Sequence, residues 1–135
     1  MKNKYFKPAS ILLVFSCFFT SCAKDEGKGG DASIYGKVFV KNYNSTFTQL
    51  VSSYYAADTY VYLIYGDDIS YGERVKTDYE GEFEFKYLYP GDYRVYVYSD
   101  DSLMQSPTGT VAVVKDLHIS GRKSKVNAGK IVIFE

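Results

Sequence analysis

Apolar and polar side chains alternate through most of this chain, and this pattern sets the strongest limit on its fold. In the stretch TYVYLIY (59–65), Val61 and Leu63 alternate with Tyr60 and Tyr62. The stretch DYRVYVYS (92–99) repeats the alternation. A β-strand sends successive side chains to opposite faces of its sheet, so a period of two is typical of a half-buried strand. The pattern therefore predicts sheet, not helix, in these segments.

The same reasoning predicts seven strands. They lie in SIYGKVFVK (33–41), TYVYLIY (59–65), YGERVKT (71–77), GEFEFK (81–86), DYRVYVYS (92–99), TVAVVKDLHIS (110–120) and KIVIFE (130–135). Turn-forming Gly, Pro, Asp and Ser separate them, and no helical period is found. Short strands at this spacing favour one all-β, antiparallel sandwich over residues 33–135. The long connection 42–58 is expected to hold a crossover, an extra short strand or one helical turn.

The first 21 residues have the layout of a secretory signal. Three lysines precede the apolar run ILLVFSCFF (11–19), and small residues follow it before Cys22. The apolar run is shorter than the roughly 20 residues that a bilayer-spanning helix needs. We therefore expect residues 1–21 to be a cleaved signal peptide.

The four residues FTSC (19–22) resemble the lipobox of bacterial lipoproteins, although Phe19 stands where that family usually has leucine. The resemblance implies that Cys22 is acylated and becomes the new N-terminus, so that palmitate-type chains anchor the protein in a membrane. Cys17 lies in the segment to be removed, which leaves no second thiol for an intramolecular disulfide. The alternative is an ordinary signal peptide with an incidental cysteine.

The residues after Cys22 bear on the destination. Ala23 is not the Asp that resembles an inner-membrane retention signal, and Lys24, Asp25 and Glu26 resemble the acidic surface-export signal of Bacteroides-type lipoproteins. This resemblance implies that the protein is attached to the outer membrane and faces the cell exterior. The alternative is that these residues only form part of a solvated tether. In either case Gly and charge predict a flexible, lipidated tether over residues 22–32.

Charge argues against a nucleic-acid partner. All 16 acidic residues follow Cys22, whereas three of the 16 basic residues (Lys2, Lys4 and Lys7) precede it, so the chain from Cys22 onward carries a net charge of −3. Phosphate binding needs a positively charged surface, and the sequence has no basic stripe.

The stretch TDYEGEFEFKYLYPGDYRVYV (77–97) resembles the repeat of carboxypeptidase-regulatory-like and collagen-adhesin B-type domains, which are related to the transthyretin-like sandwich. The family's marks are T-D-x-x-G-x-F-x-F and L-x-P-G-x-Y-x-V. Here they fall on Thr77, Asp78, Gly81, Phe83, Phe85, Leu88, Pro90, Gly91, Tyr93 and Val95. The resemblance implies an Ig-like, transthyretin-like β-sandwich and says little about function.

These marked residues are expected to be structural. The carboxylate of Asp78 can accept hydrogen bonds from the backbone that follows it, and Gly81 can adopt a positive φ. Phe83 and Phe85 are expected in the core, where each contributes about 2 to 3 kcal/mol by burial. Tyr93 resembles the tyrosine-corner residue, with a buried ring and a hydroxyl bonded to loop backbone. The remaining marks, expected to fill the core or shape the reversal, are Leu88, Pro90 and Gly91.

No catalytic residue, metal or cofactor is predicted. His118 is the single histidine, no serine has an evident base, and the zinc-ligand spacings are absent. The pairs Asp67-Asp68 and Asp100-Asp101 offer oxygen ligands in turns, yet no calcium-loop pattern accompanies them. The sequence therefore favours a protein that is not an enzyme.

Tyrosines give the candidate binding face. If the valines and leucine of the two central strands point inward, the period of two sends Tyr60, Tyr62, Tyr96 and Tyr98 outward on neighbouring strands. Tyr71 and Arg94 are expected to flank this face. Such a face suits a surface protein partner, which we favour, or a glycan, as in an accessory of a nutrient-uptake system. Two alternatives remain: the tyrosines only stabilise the sheet of a structural subunit, or residues 42–58 cover the face.

Overall fold

The computed structural model describes residues 25–135, which form two stacked four-stranded sheets and contain no helix. The strands are β1 (Lys28–Tyr43), β2 (Leu50–Tyr55), β3 (Tyr60–Tyr65), β4 (Glu73–Lys76), β5 (Glu82–Leu88), β6 (Gly91–Asp100), β7 (Thr110–Ile119) and β8 (Lys125–Phe134). The all-β sandwich prediction is confirmed. The count is eight rather than seven because β2 forms inside the connection 42–58.

The first sheet is built around β1, which has three partners. Strand β8 pairs with one edge of β1 in parallel, while β5 and β2 pair antiparallel with successive halves of its other edge. The expectation of a purely antiparallel fold is therefore wrong at the β1–β8 pair. Two parallel strands need a long connection, and here strands β2 to β7 lie between β1 and β8 in the sequence.

The second sheet has the order β4-β3-β6-β7 and is antiparallel throughout. Its inward-facing residues include Val61, Leu63, Val95 and Val97, all fully or almost fully buried, as the alternation predicts. They pack against the inner face of the first sheet, which contributes fully buried Ile34, Val38, Val40, Phe85 and Ile131. Because the inward set is apolar, the other face of each sheet is left for solvent or a partner.

Strand β1 begins at Lys28, earlier than the strand start expected at Ser33 and within the expected tether. Two glycines allow this, because side chains there would collide with β5 and the turn that follows it. A Cβ on Gly29 would lie 2.5 Å from the hydroxyl oxygen of Tyr89, and one on Gly30 would collide with the carbonyl of Leu88. Glycine therefore serves close packing here, although the same composition is typical of a flexible linker.

The N-terminal predictions fall mostly outside the described residues. The signal peptide (1–21), Cys22 and Lys24 all lie there, while Asp25 and Glu26 are included. Within residues 25–135, no helix is both long enough and apolar enough to cross a membrane.

Asp78 and Gly81 shape the turn between β4 and β5. Oδ1 of Asp78 accepts hydrogen bonds from the backbone N–H groups of Glu80 and Glu82, both at 2.9 Å. Gly81 has a φ of 75°, and a Cβ at this position would lie 2.6 Å from the carbonyl oxygen of Val38. The two residues thus set the path by which β5 joins β1.

Tyr93 closes the opposite end of the sandwich. Its ring is buried, and its hydroxyl donates a hydrogen bond of 2.7 Å to the carbonyl oxygen of Tyr89. The same hydroxyl accepts a hydrogen bond of 3.0 Å from the N–H of Gly27. The residue therefore ties the β5–β6 turn to the start of the described chain.

Candidate functional site

The outer face of the second sheet carries five tyrosines, which we call the tyrosine cluster. Sheet register sets their arrangement: Tyr62 on β3 lies directly opposite Tyr96 on β6. Tyr60 and Tyr98 are each two residues along the same strands, on the same face. Tyr71 comes from the β3–β4 loop. The four side chains expected to share a face do so, and Tyr71, expected beside them, is in contact with Tyr62.

The rings of the tyrosine cluster are in mutual contact. Tyr62 and Tyr96 stack with centroids 4.9 Å apart and an interplanar angle of 9°. Tyr98 packs edge-on against both rings, with centroid distances of 5.6 and 5.5 Å. Tyr71 packs edge-on against Tyr62 at 5.0 Å, and Tyr60 lies 6.3 Å from the same ring. Such pairs contribute about 0.5 to 1.5 kcal/mol each beyond burial, which holds the side chains in place.

Three members keep much of their surface in solvent: Tyr98 is 52% exposed, Tyr71 44% and Tyr60 39%. Tyr62 and Tyr96 are partly buried. The stacked pair therefore forms the base of the cluster, and the other three rings offer the accessible surface.

Two cations border the tyrosine cluster on the β4 side. The guanidinium carbon of Arg74 lies 4.4 Å from the ring centroid of Tyr60, and Nζ of Lys76 lies 4.9 Å from it. Lys76 also forms an ion pair of 2.8 Å with Asp58. These side chains place hydrogen-bond donors beside an aromatic surface, a combination that can recognise a polar ligand with apolar faces.

Arg94, expected to flank the face, has a positioning role. Its Nη2 donates hydrogen bonds to the carbonyl oxygens of Gly66 at 3.3 Å and Asp68 at 2.7 Å. Both acceptors belong to the loop that carries Tyr71. The guanidinium therefore supports the loop and does not point freely into the cluster.

The connection 42–58 does not cover the tyrosine cluster with its strand, because β2 belongs to the other sheet. There the hydroxyl of Tyr54 donates a hydrogen bond of 2.6 Å to the Glu135 carboxylate, and the ring of Tyr55 packs edge-on against Phe39 at 5.2 Å. The sequence left open whether residues 42–58 cover the tyrosine face or leave it exposed, and the structure favours an exposed face.

The hydroxyl of Tyr96 is held in its neutral form. Burial is the main cause, with Tyr98 and then Tyr62 adding to it, and together they raise the pKa of Tyr96 to about 12. The proton is therefore retained well above the ordinary tyrosine pKa of 10.0.

A pH-dependent loss of stability follows from that pKa. The folded protein keeps the Tyr96 proton to higher pH than the unfolded chain does, so this contribution to stability is complete below about pH 10 and is lost as the pH rises to about 12. We expect the denaturant midpoint of the wild type to fall more over this interval than that of Tyr96→Phe. Equal pH dependence in the two proteins would contradict the assignment.

The other titratable candidates have ordinary structural surroundings. Nδ1 of His118 lies 2.7 Å from Oδ1 of Asp92, and both side chains are largely exposed. Both carboxylate oxygens of Asp101 accept hydrogen bonds from backbone N–H groups, those of Leu103, Gln105 and Ser106, which lowers the pKa of this carboxyl and organises the β6–β7 loop. Within residues 25–135, no group of histidine, cysteine, aspartate or glutamate is arranged to hold a metal ion.

A second aromatic surface lies on the outer face of the first sheet and was not identified from sequence. Nζ of Lys130 lies 4.9 Å from the ring centroid of Phe39, and Nζ of Lys37 lies 5.2 Å from that of Tyr55. An open depression of about 910 Å³ is lined in part by Lys37, Tyr55 and Lys130. The alternation of aromatic residues with lysines in β1 was a usable signal, but the aromatic partner Tyr55 comes from the strand that the pattern missed.

Comparison with known proteins adds little about function. No protein-family model matches the chain, and no curated protein matches it. Four chains of solved structures match. One is a crystal structure of a protein from Pseudomonas aeruginosa provisionally named as carbohydrate binding, with 15% identity and a TM-score of 0.45, covering 81% of this chain and 91% of that one. Similarity at this level carries no argument about the ligand of the present protein.

Proposed function

We propose that this protein is a non-catalytic binding module whose tyrosine cluster binds carbohydrate. The observation that carries the proposal is the contact geometry of five tyrosines on one face, with three rings substantially exposed. Tyrosine combines a flat apolar ring with a hydroxyl, and sugars present apolar ring faces edged by hydroxyls. Arg74 and Lys76 supply further donors at the border.

The size of the surface favours a small ligand. Each tyrosine side chain offers roughly 200 Å², so the exposed fractions of the cluster amount to about 300 to 400 Å². A stable protein–protein interface buries about 800 Å² on each partner. The tyrosine cluster alone is thus too small for such an interface and is of a suitable size for an oligosaccharide of a few rings.

We further propose that the module is attached by acylated Cys22 to the outer membrane and faces the cell exterior. The lipobox-like residues FTSC and the following Lys24, Asp25 and Glu26 support this localisation. Several acyl chains give stable anchorage, whereas one chain binds a bilayer only marginally. A carbohydrate-binding accessory of a nutrient-uptake system would need such a location.

Oligosaccharide titration with Tyr98→Ala tests the carbohydrate proposal. A glycan array identifies the strongest oligosaccharide, and calorimetry then measures its affinity for each variant. Removing the most exposed ring should weaken binding at least about tenfold, or about 1.4 kcal/mol. Tyr79→Ala is the matched control, because Tyr79 is almost fully exposed and lies outside the cluster. Absence of binding to every oligosaccharide, or equal affinity of both variants, would sink the proposal.

A protein partner remains the second candidate because the exposed apolar surface continues onto β7. Val114 lies opposite Tyr96, Ala112 lies opposite Tyr98, and both are exposed. A partner covering this extension would bury a larger area than the tyrosines alone offer. Val114→Lys separates the two functions, because it places a charge on the β7 extension and leaves the five tyrosines in place. If a protein partner covers this surface, the substitution should abolish co-purification with that partner. The affinity for oligosaccharide should be unchanged.

A further inference from the structure

The start of the described chain is fixed to the sandwich by its backbone. The N–H of Gly27 donates to the Tyr93 hydroxyl at 3.0 Å, and the carbonyl of Gly27 accepts from the N–H of Tyr89 at 2.9 Å. Oε1 of Glu26 accepts a hydrogen bond of 3.2 Å from the N–H of Asp92. Gly27 is buried, and its partners belong to the β5–β6 region.

Side-chain contacts of the next residue strengthen this attachment. Nζ of Lys28 donates to the carbonyl oxygen of Lys86 at 2.7 Å and forms an ion pair of 2.8 Å with Glu73. Lys28 therefore bridges β5 and β4, one strand from each sheet. From Glu26 onward the chain is part of the domain, with no free linker.

Little chain separates this attachment from the proposed anchor. Cys22 and Glu26 are four residues apart, which corresponds to at most about 14 Å of extended chain. A lipid on Cys22 would thus hold one particular end of the sandwich against the bilayer. We call it the anchor end, formed by loops 66–72, 89–90 and 120–124.

The anchor end exposes two side chains suited to a membrane interface. Ile69, in the loop 66–72, is 102% exposed, and Tyr87, beside the β5–β6 turn, is 65% exposed. Tyrosine is enriched at the level of lipid headgroups, and Nζ of Lys28 lies 5.9 Å from the Tyr87 ring centroid. An exposed apolar side chain at a loop tip gains free energy when it leaves water for this region.

We propose that the domain stands end-on on the bilayer, with Ile69 and Tyr87 in the interface and the cluster members Tyr96 and Tyr98 held above the membrane. This inference rests on the anchorage proposed above. The direction of β6 sets the height of these tyrosines. Asp92 is at the anchor end, and Tyr96 and Tyr98 follow it by four and six residues along β6. At about 3.3 Å per residue, Tyr96 and Tyr98 lie roughly 13 to 20 Å farther from the bilayer than Asp92, while Tyr71 is the member of the cluster nearest to the anchor end.

Single-tryptophan variants can test the orientation, because the chain contains no tryptophan. The full-length chain is expressed in a bacterium and incorporated into vesicles of phosphatidylethanolamine and phosphatidylglycerol that carry bromine at defined acyl positions. We expect the fluorescence of Ile69→Trp and Tyr87→Trp to be quenched by brominated lipid. Tyr79→Trp, in the β4–β5 turn at the opposite end, should not be quenched.

A lengthened variant provides the second measurement. Inserting about twenty Gly and Ser residues after Ala23 adds a flexible segment of roughly 25 Å, which should reduce the quenching of Ile69→Trp although the protein still floats with the vesicles. Unquenched Ile69→Trp and Tyr87→Trp on floating, acylated protein would overturn the orientation alone. Quenching of Tyr79→Trp equal to that of Ile69→Trp would also overturn it. Failure of the wild type to float, with the same distribution as Cys22→Ser, would overturn the anchorage and this inference together.

Discussion

Replacing Phe85 with alanine is expected to lower the free energy of unfolding by about 3 to 5 kcal/mol. The Phe85 ring is fully buried between the sheets and packs edge-on against Phe83, with centroids 5.9 Å apart. Its removal leaves a cavity that the neighbouring strands cannot close. Domains of this size are stable by only about 5 to 15 kcal/mol, so the loss is a large fraction of the total.

Denaturant titration followed by circular dichroism measures this loss. Phe39→Ala is the matched control, since Phe39 lies on the outer face of the first sheet and is only partly buried. Phe39→Ala should lower the free energy of unfolding by well under half as much as Phe85→Ala does. If both substitutions reduced stability equally, the inward assignment of the β5 phenylalanines would have to be abandoned.

Tyr93→Phe is expected to lower the free energy of unfolding by about 2 to 4 kcal/mol although the ring is retained. The lost hydroxyl removes the acceptor of the buried N–H of Gly27, and a buried donor left unsatisfied costs about 1 to 3 kcal/mol. Loss of the hydrogen bond to the partly buried carbonyl of Tyr89 adds about 1 kcal/mol. Burial raises the pKa of the Tyr93 hydroxyl, so it remains a donor at neutral pH.

Hydrogen exchange locates the effect of Tyr93→Phe. The amide of Gly27 should exchange faster in the variant even under conditions where the core of the domain stays folded. Tyr79→Phe, which alters an exposed hydroxyl, should change neither stability nor exchange. Unchanged exchange at Gly27 would mean that the tyrosine does not fix the start of β1, and the end-on orientation would lose its structural basis.

The sequence predicted the parts of the fold whose signals are local. Alternation gave the inward set Val61, Leu63, Val95 and Val97, and therefore also the four tyrosines that share the opposite face. The turn at Asp78 and Gly81 was predictable because its hydrogen bonds join residues close in sequence. These features depend on the period of a strand and on turn chemistry, both of which are visible in one short stretch.

The remaining features depend on contacts between distant residues. All six residues of β2 are exposed, so burial imposes no alternation of hydrophobicity on LVSSYY. Gly29 and Gly30 have the composition of a linker, and only the positions of Tyr89 and Leu88 show that they are packed. Arg94 was placed on the correct face, but its backbone acceptors belong to a loop about 26 residues earlier in sequence. The parallel direction of β8 had no local signal either, because its partner β1 lies about 90 residues earlier in the sequence.

That parallel pair has a consequence for the order of folding. β1 opens the sandwich and β8, residues 125–134, closes it, so the longest strand of the first sheet acquires its partner on one edge only after the six intervening strands have emerged. Contacts between residues so far apart slow folding, because the intervening chain must first be brought together. If the protein is exported as proposed above, a sandwich that stays open until its eighth strand arrives could thread through a secretion channel as an extended strand and acquire its native shape on the far side.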